Sequence, residues 1–202
     1  MALFLSLVLS FFSFQSSAAS TERNIVLIFA DDLGIGDVPG YTGNSTIVPL
    51  PNINKLRLQG TTFRNAHATP WCAPSRYALL SGNYQYRGAF PNGPWSQLGR
   101  AFPAGQKTIA QLLKKHGYKT AMFGKWHLAG GIPRSSIANS CSVKHILSCE
   151  KYDWTQPMHY GPQDIGFGRS YVSLNGIQAP PYAYLRNGRL NLPEENITFY
   201  QK

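Results

Sequence analysis

Acidic residues are scarce in this chain. Nine aspartates and glutamates stand against nineteen lysines and arginines, a formal net charge of +10 over 202 residues. The basic residues are scattered among glycines, prolines and aromatics and form no cluster, so a nucleic-acid partner is not expected. An anionic substrate or a sulfated polysaccharide fits the balance better. Long apolar runs are also missing: past residue 19 no stretch is apolar enough to cross a bilayer, and the run before it is broken by serines. No stable membrane span is expected. Cysteines number three, so one is left over from any pairing. Internal repeats and low-complexity tails are absent as well.

What is present begins with a leader. Residues 1–19 carry no charge and run from Leu3-Phe4-Leu5 through Phe11-Phe12 into the small residues Ser17-Ala18-Ala19. This reads as a secretory signal peptide cleaved near Ala19, with a signal anchor as the alternative. The mature chain then belongs to the secretory pathway, in the extracellular space or a lysosome-like compartment. Residues 20–202 suffice for one domain. Asn44-Ser45-Thr46 and Asn196-Ile197-Thr198 are glycosylation sequons, in keeping with that route. Cys141 and Cys149 are close enough in sequence to bridge a short loop, which leaves Cys72 reactive; a Cys72 disulfide with either is the other possibility.

Asn24-Ile25-Val26-Leu27-Ile28-Phe29-Ala30 is a continuous apolar run rich in β-branched residues, and it predicts a strand buried on both faces of a parallel sheet. It stops at Asp31-Asp32 before a glycine-rich turn. Ligand sites of open α/β sheets lie beyond the carboxyl ends of strands, so this pair is placed for a hard metal ion, or else caps the turn. Pro51 opens a short helix ending near Gly60. The segment 82–105, dense in aromatics, reads as a long ordered loop. Lys107 to Gly117 is the clearest helix, with a Thr108/Gln111 capping box, basic residues in its last turn and Gly117 as its stop. Tyr118–Phe123 follows as a strand, then the turn Gly124-Lys125-Trp126-His127-Leu128. Helix, strand and turn belong to a βαβ unit, which sets the class as α/β. Lys125 and His127 would alternate around Trp126 onto one side of an extended segment.

The remaining stretch is Pro70-Trp71-Cys72-Ala73-Pro74-Ser75-Arg76, with Leu80-Ser81-Gly82 behind it. A helix starting near Ser75 would set the Cys72 side chain beside unpaired N–H groups, with Arg76 close by. Such a place stabilises a thiolate or a bound anion. The plainer reading is a buried or disulfide-bonded cysteine in an ordinary turn.

Cys-x-Pro-Ser-Arg followed by Leu-Ser-Gly resembles the signature of the type I sulfatases. The Asp31-Asp32 pair, Gly124-Lys125-Trp126-His127-Leu128, and the run from Gly161-Pro162 to Pro180-Pro181-Tyr182 match further family elements in family order. The resemblance implies an alkaline-phosphatase-like α/β sandwich with a central, mostly parallel sheet, present here as its N-terminal portion. It also makes Thr61–Ala68 a strand and Arg186-Asn187-Gly188-Arg189 a turn. The implied activity is sulfate ester hydrolysis on an aryl sulfate or a sulfated glycan. Cys72 would be oxidised to formylglycine by the formylglycine-generating enzyme. Ca2+ would be held by Asp31, Asp32 and residue 72. Arg76 would stabilise the aldehyde hydrate and anchor the turn, while Lys125 and His127 contact the sulfate. The family's downstream Asp-Asn pair, histidine and lysine have no match, so the chain is expected to be incomplete and inactive alone. Two alternatives stand beside this: a phosphate or phosphonate ester hydrolase, and a non-catalytic fragment that binds sulfated glycans or a full-length paralogue.

Overall fold

A computed structural model describes residues 23–41, 48–92, 100–133, 156–178 and 182–190. The signal peptide, both sequons and the Cys141–Cys149 pair fall outside these residues. The chain separates into two compact units, Met1–Leu33 and Gly34–Lys202.

In the first unit the described residues 23–33 form no strand. The buried parallel strand expected over Asn24–Ala30 is therefore not formed: Val26 and Ile28 are 81% and 82% exposed. The physical reason is that a strand is a property of a pair. β-branched residues favour the pleated conformation, but the ladder needs a neighbour, and among the described residues none pairs with this segment.

Among the described residues the second unit holds three α-helices and one sheet. Helix α1 (Pro51–Gln59) starts with proline at its first position, where a missing N–H costs nothing, and ends at Gly60. Residues 61–70, expected to include a strand, contain none, for the same lack of a pairing neighbour. Helix α2 spans Cys72–Ser81 and closes on Gly82, whose φ of 68° lets its N–H reach the Ala78 carbonyl at 2.8 Å. Helix α3 (Ile109–Lys115) carries both arms of the expected capping box, Gln111 N–H to Thr108 Oγ1 and Thr108 N–H to Gln111 Oε1, each 3.2 Å. Its end is a Schellman motif: Gly117, at φ 84°, donates to the Lys114 carbonyl and Tyr118 to the Leu113 carbonyl. Because the Tyr118 amide is used in that closure, the next strand starts later than expected, at Ala121.

The sheet runs β1 (Ala121–Lys125), β2 (Arg169–Ser173), β3 (Tyr184–Arg186), β4 (Arg189–Leu190), with neighbours in that order. β1 and β2 are parallel, in register from Ala121 opposite Arg169 to Lys125 opposite Ser173; the other two pairings are antiparallel. The α/β class holds, and the described sheet is mixed. Asn187 and Gly188, at φ 52° and 78°, make the tight β3–β4 turn that an Asn-Gly pair favours. Asn187 also docks the hairpin onto β2, exchanging bonds with both backbone groups of Ser170. Val172, Leu174 and Leu185 from the sheet region pack with Tyr77 and Leu80 of α2 and with Phe102, Trp126, Leu128 and Ile165 as one core.

Thr108 ties α3 to that core, since its hydroxyl accepts the Gln111 N–H and donates to the buried Ile165 carbonyl. Thr108→Ala should lower the unfolding free energy by about 2–3 kcal/mol, the sum of a lost cap and an unsatisfied buried carbonyl, whereas Thr108→Ser should lose less than half of that. Urea denaturation of the three proteins measures both differences, and equal losses would show that the hydroxyl is not what matters.

Candidate active site

The site is built where α2 meets the carboxyl ends of β1 and β2. Helix α2 begins at Cys72, three residues before the start expected near Ser75. Trp71 is extended at the N-cap, and Pro74 occupies the first turn, where its missing N–H has no helical acceptor to serve. The turn leading in is held from within the helix: Ser75 Oγ donates to the Thr69 carbonyl at 2.9 Å and lies 2.7 Å from Thr69 Oγ1. The Ser75 N–H closes on the Trp71 carbonyl at 3.1 Å. Cys72 is thus the first helical residue, half-buried, its sulfur a thiol rather than part of a disulfide among the described residues. It sits at the positive end of the helix dipole.

Arg76 lies one turn on, on the same helix face as Cys72, at a separation typical of about 5–6 Å between Cβ atoms. Its guanidinium is buried, and Nη1 donates to the Lys125 carbonyl at 2.8 Å. A second tie runs through aromatic rings. Tyr77 of α2 stacks on Phe102 at 5.0 Å, and Phe102 meets the Trp126 ring at 6.4 Å. One polar bond and one aromatic row therefore join the cysteine helix to the end of β1.

Past Lys125 the backbone stays on the β2 ladder for two more residues. Trp126 donates to the Ser173 carbonyl at 2.8 Å and His127 to the Leu174 carbonyl at 2.7 Å. The extended alternation expected for Lys125 and His127 ends there, because His127 takes a left-handed conformation at φ 52° and Ala129 follows at 58°. Trp126, fully buried, closes this reversal with its own indole, Nε1 donating to the Ala129 carbonyl at 2.8 Å. Lys125 and His127 are left half-buried on either side of it.

The parallel register adds residues that the sequence reading missed. Ser173, opposite Lys125, is buried and accepts the Gly176 N–H at 3.1 Å, and Asn175 between them is buried too. Gly176, at φ 63°, lies so close to the Lys125 stem that a Cβ there would stand 3.0 Å from Lys125 Cδ. The available signal was positional: a residue following the carboxyl end of a strand next to β1. Asp31 and Asp32 belong to the first unit. Both are exposed there, and Asp32 takes φ 59°. His67 is exposed and lies 2.8 Å from Asn65 Oδ1, a contact within its own segment. The second unit thus combines a thiol at a helix N-terminus with Arg76, Lys125 and His127 nearby along the chain's two converging segments, an arrangement suited to handling an anion.

Comparison with known proteins bears on what that anion is. The family model described as Sulfatase matches residues 23–158. Human steryl-sulfatase is 42% identical over 131 residues, 60% of this chain and 22% of that protein. An N-acetylgalactosamine-6-O-sulfatase of Bacteroides thetaiotaomicron is 34% identical over 181 residues, 85% of this chain and 30% of that protein. A solved structure from work on glycosaminoglycan metabolism by Bacteroides thetaiotaomicron superimposes with a TM-score of 0.69 at 32% identity, covering 88% of this chain and 34% of that one. The chain spans less than a third of the length of these two relatives.

Tyr77 offers a test of the aromatic tie. Burial raises its hydroxyl above the ordinary tyrosine value of 10.0. Between that value and the raised one, the unfolded chain has released this proton and the folded chain has not, so stability falls as pH rises through the window. Tyr77→Phe should unfold with a shallower loss of stability above pH 10 than the parent and match its slope below that pH. Chemical denaturation across pH 8–11 reads this, and parallel slopes throughout would mean Tyr77 ionises as freely folded as unfolded.

Proposed function

The chain belongs to the sulfatase family, with the alkaline-phosphatase-like α/β fold of its structural neighbours, and we propose that it carries the nucleophile-bearing part of a sulfuric ester hydrolase. The single observation that supports this best is the Arg76 bond to the Lys125 carbonyl, which links the cysteine signature to the lysine-histidine signature. Two motifs 49 residues apart in sequence serve one reaction centre only if something holds them together, and that bond does so through a functional arginine.

In this reading Cys72 is the precursor of formylglycine. As an aldehyde hydrate, residue 72 supplies one hydroxyl as nucleophile and, through re-formation of its carbonyl, a route for releasing sulfate that a plain serine would lack. The chain's other residues bind and orient. Arg76 stabilises the hydrate and holds the Lys125 backbone. Lys125, its stem seated against Gly176, brings its ammonium to the sulfate oxygens. His127 supports a second oxygen, and both offset charge that grows in the transition state.

Asp31, Asp32 and residue 72 would hold the calcium ion. Adjacent, exposed carboxylates are the hard oxygen donors that this ion takes, so the donor chemistry fits. When bound, the ion would polarise the sulfate group and the nucleophilic oxygen. Calcium takes about 6–8 oxygens, more than these residues supply, so the 202-residue chain alone is expected to turn over little or no substrate. The substrate class is a sulfate ester. A relative aligned over 85% of this chain is named for a sulfated amino sugar and others for steryl or aryl sulfates, so a sulfated glycan and an aryl sulfate both fit. The formylglycine-generating enzyme is the partner that must act first, in the secretory pathway.

Mass spectrometry of the tryptic peptide Asn65 to Arg76, from protein expressed through a secretory pathway, tests this directly. Formylglycine at position 72 is the expected result; an unmodified or disulfide-linked cysteine would overturn it. Paired aryl sulfate and aryl phosphate assays on the modified protein add a second check, in which sustained sulfate ester turnover would refute the incomplete metal site and faster phosphate ester turnover would favour a phosphate or phosphonate hydrolase.

A further inference from the structure

A cleft of about 290 Å3 opens beside the N-terminal end of α3, and it shares no lining residue with Cys72, Arg76, Lys125 or His127. Its polar lining comes from Arg100, Gln106, Lys107, Gln111, Tyr160 and Asp164. A neighbouring cleft of about 420 Å3 is bounded by the same Tyr160 and Asp164, so this tyrosine stands between two openings. The sulfatase reading uses none of these groups.

Tyr160 is held there against its backbone preference. It takes φ 55°, a left-handed conformation that is costly for a non-glycine residue. The strain is sustained by a close backbone approach: Gly131 and His159 exchange two hydrogen bonds of 3.1 and 2.9 Å, and a side chain at Gly130 would collide with the carbonyls of His159 and Tyr160. Tyr160 is 40% exposed, so the strain does not serve core burial. Strained residues fixed by a surrounding framework are common at ligand sites. The Arg100 guanidinium lies over the ring at 4.9 Å, and Arg100 is itself bridged to Ala129.

We infer that this cleft is a second, non-catalytic site that binds one anionic sugar unit, with the exposed part of Tyr160 as an apolar wall for the sugar ring and Arg100, stacked on that tyrosine, and Lys107 as the cations that receive its sulfate or carboxylate. Gln106, Gln111 and Asp164 supply the donors and acceptors that ring hydroxyls require. Asp164, whose Oδ2 also accepts the Gly161 N–H at 2.8 Å, leaves the lining with two cations and one anion, a net charge of +1. A single anionic group fits that balance and a polyanion does not. The volume lies near the lower end of small-molecule sites, enough for one ring rather than a chain. The inference stands on the cleft alone and does not depend on the formylglycine reading.

The test is calorimetric titration of the full chain with a 6-sulfated hexosamine, a hexuronic acid and the matching neutral hexosamine. The parent should bind one or both anionic sugars at least roughly tenfold more tightly than the neutral one, the effect of a single charge-assisted hydrogen bond. Which anionic sugar binds better identifies the group that the cations receive. Arg100→Gln and Tyr160→Ala should each weaken that binding about tenfold or more, whereas Lys55→Gln, at an exposed cation outside the cleft, should leave it unchanged. Lys107→Gln, at an exposed position, gives an independent reading if the Arg100 variant fails to fold by circular dichroism. Absence of binding by the parent, equal binding of the neutral sugar, or full retention of binding in both the Arg100 and Lys107 variants would overturn the proposal.

Discussion

The site depends on the bond from Arg76 to the Lys125 carbonyl. A buried guanidinium is costly unless its donors find acceptors, and Arg76 Nη1 finds one in the Lys125 carbonyl. The bond fixes the register between helix and strand, while most of the energy that holds them together comes from Tyr77, Phe102 and Trp126 beneath it. This division of labour is general: apolar burial is large but indifferent to small slips, whereas a buried hydrogen bond contributes little net energy and is costly to leave unmade. Cys72, on the same face one turn from Arg76, inherits its placement from that bond.

The reversal after β1 shows where the fold accepts strain. His127, Ala129 and Gly130 take positive φ in close succession, and only one of them is glycine. Two things hold them there. The Trp126 indole reaches across to the Ala129 carbonyl, and the backbone before the reversal remains bonded to β2 at Ser173 and Leu174. A smooth continuation of β1 would have kept Lys125 and His127 in simple alternation. The left-handed turn instead redirects His127 while the buried tryptophan between the two residues anchors both.

What the sequence made legible was what depends on near neighbours. The Thr108/Gln111 capping box, the Gly117 stop, the proline start at Pro51 and the Asn187-Gly188 turn each involve residues a few positions apart, and each forms as read. The cysteine and lysine-histidine motifs were legible for the same reason. What failed were statements that need a distant partner. A strand over Asn24–Ala30 requires a neighbour, and the start of β1 was moved by a helix closure that used Tyr118; the nearness of Gly176 to Lys125, on which the sequence was silent, follows from parallel pairing across a long crossover. No periodicity encodes that last contact, because it joins residues 51 positions apart whose register is set by the sheet.

The exposed apolar residues carry the final step. Val26 and Ile28 belong to a run whose composition suits burial on both faces, and Phe123, within β1, is 73% exposed. Among the described residues β1 pairs only with β2, so its other edge presents backbone donors and acceptors in a row beside an uncovered aromatic ring. An edge of that kind is an aggregation hazard, and natural sheets blunt it with charge, proline or cover. Lys119 precedes β1 and Lys125 ends it, but its interior, Met122-Phe123-Gly124, carries no charge. That interior has the character of a central strand, and its apolar residues suit cover. Lys125 at the end of β1 and the apolar side chains along it therefore make one demand: a strand that is to hold that lysine still is steadiest when paired on both sides.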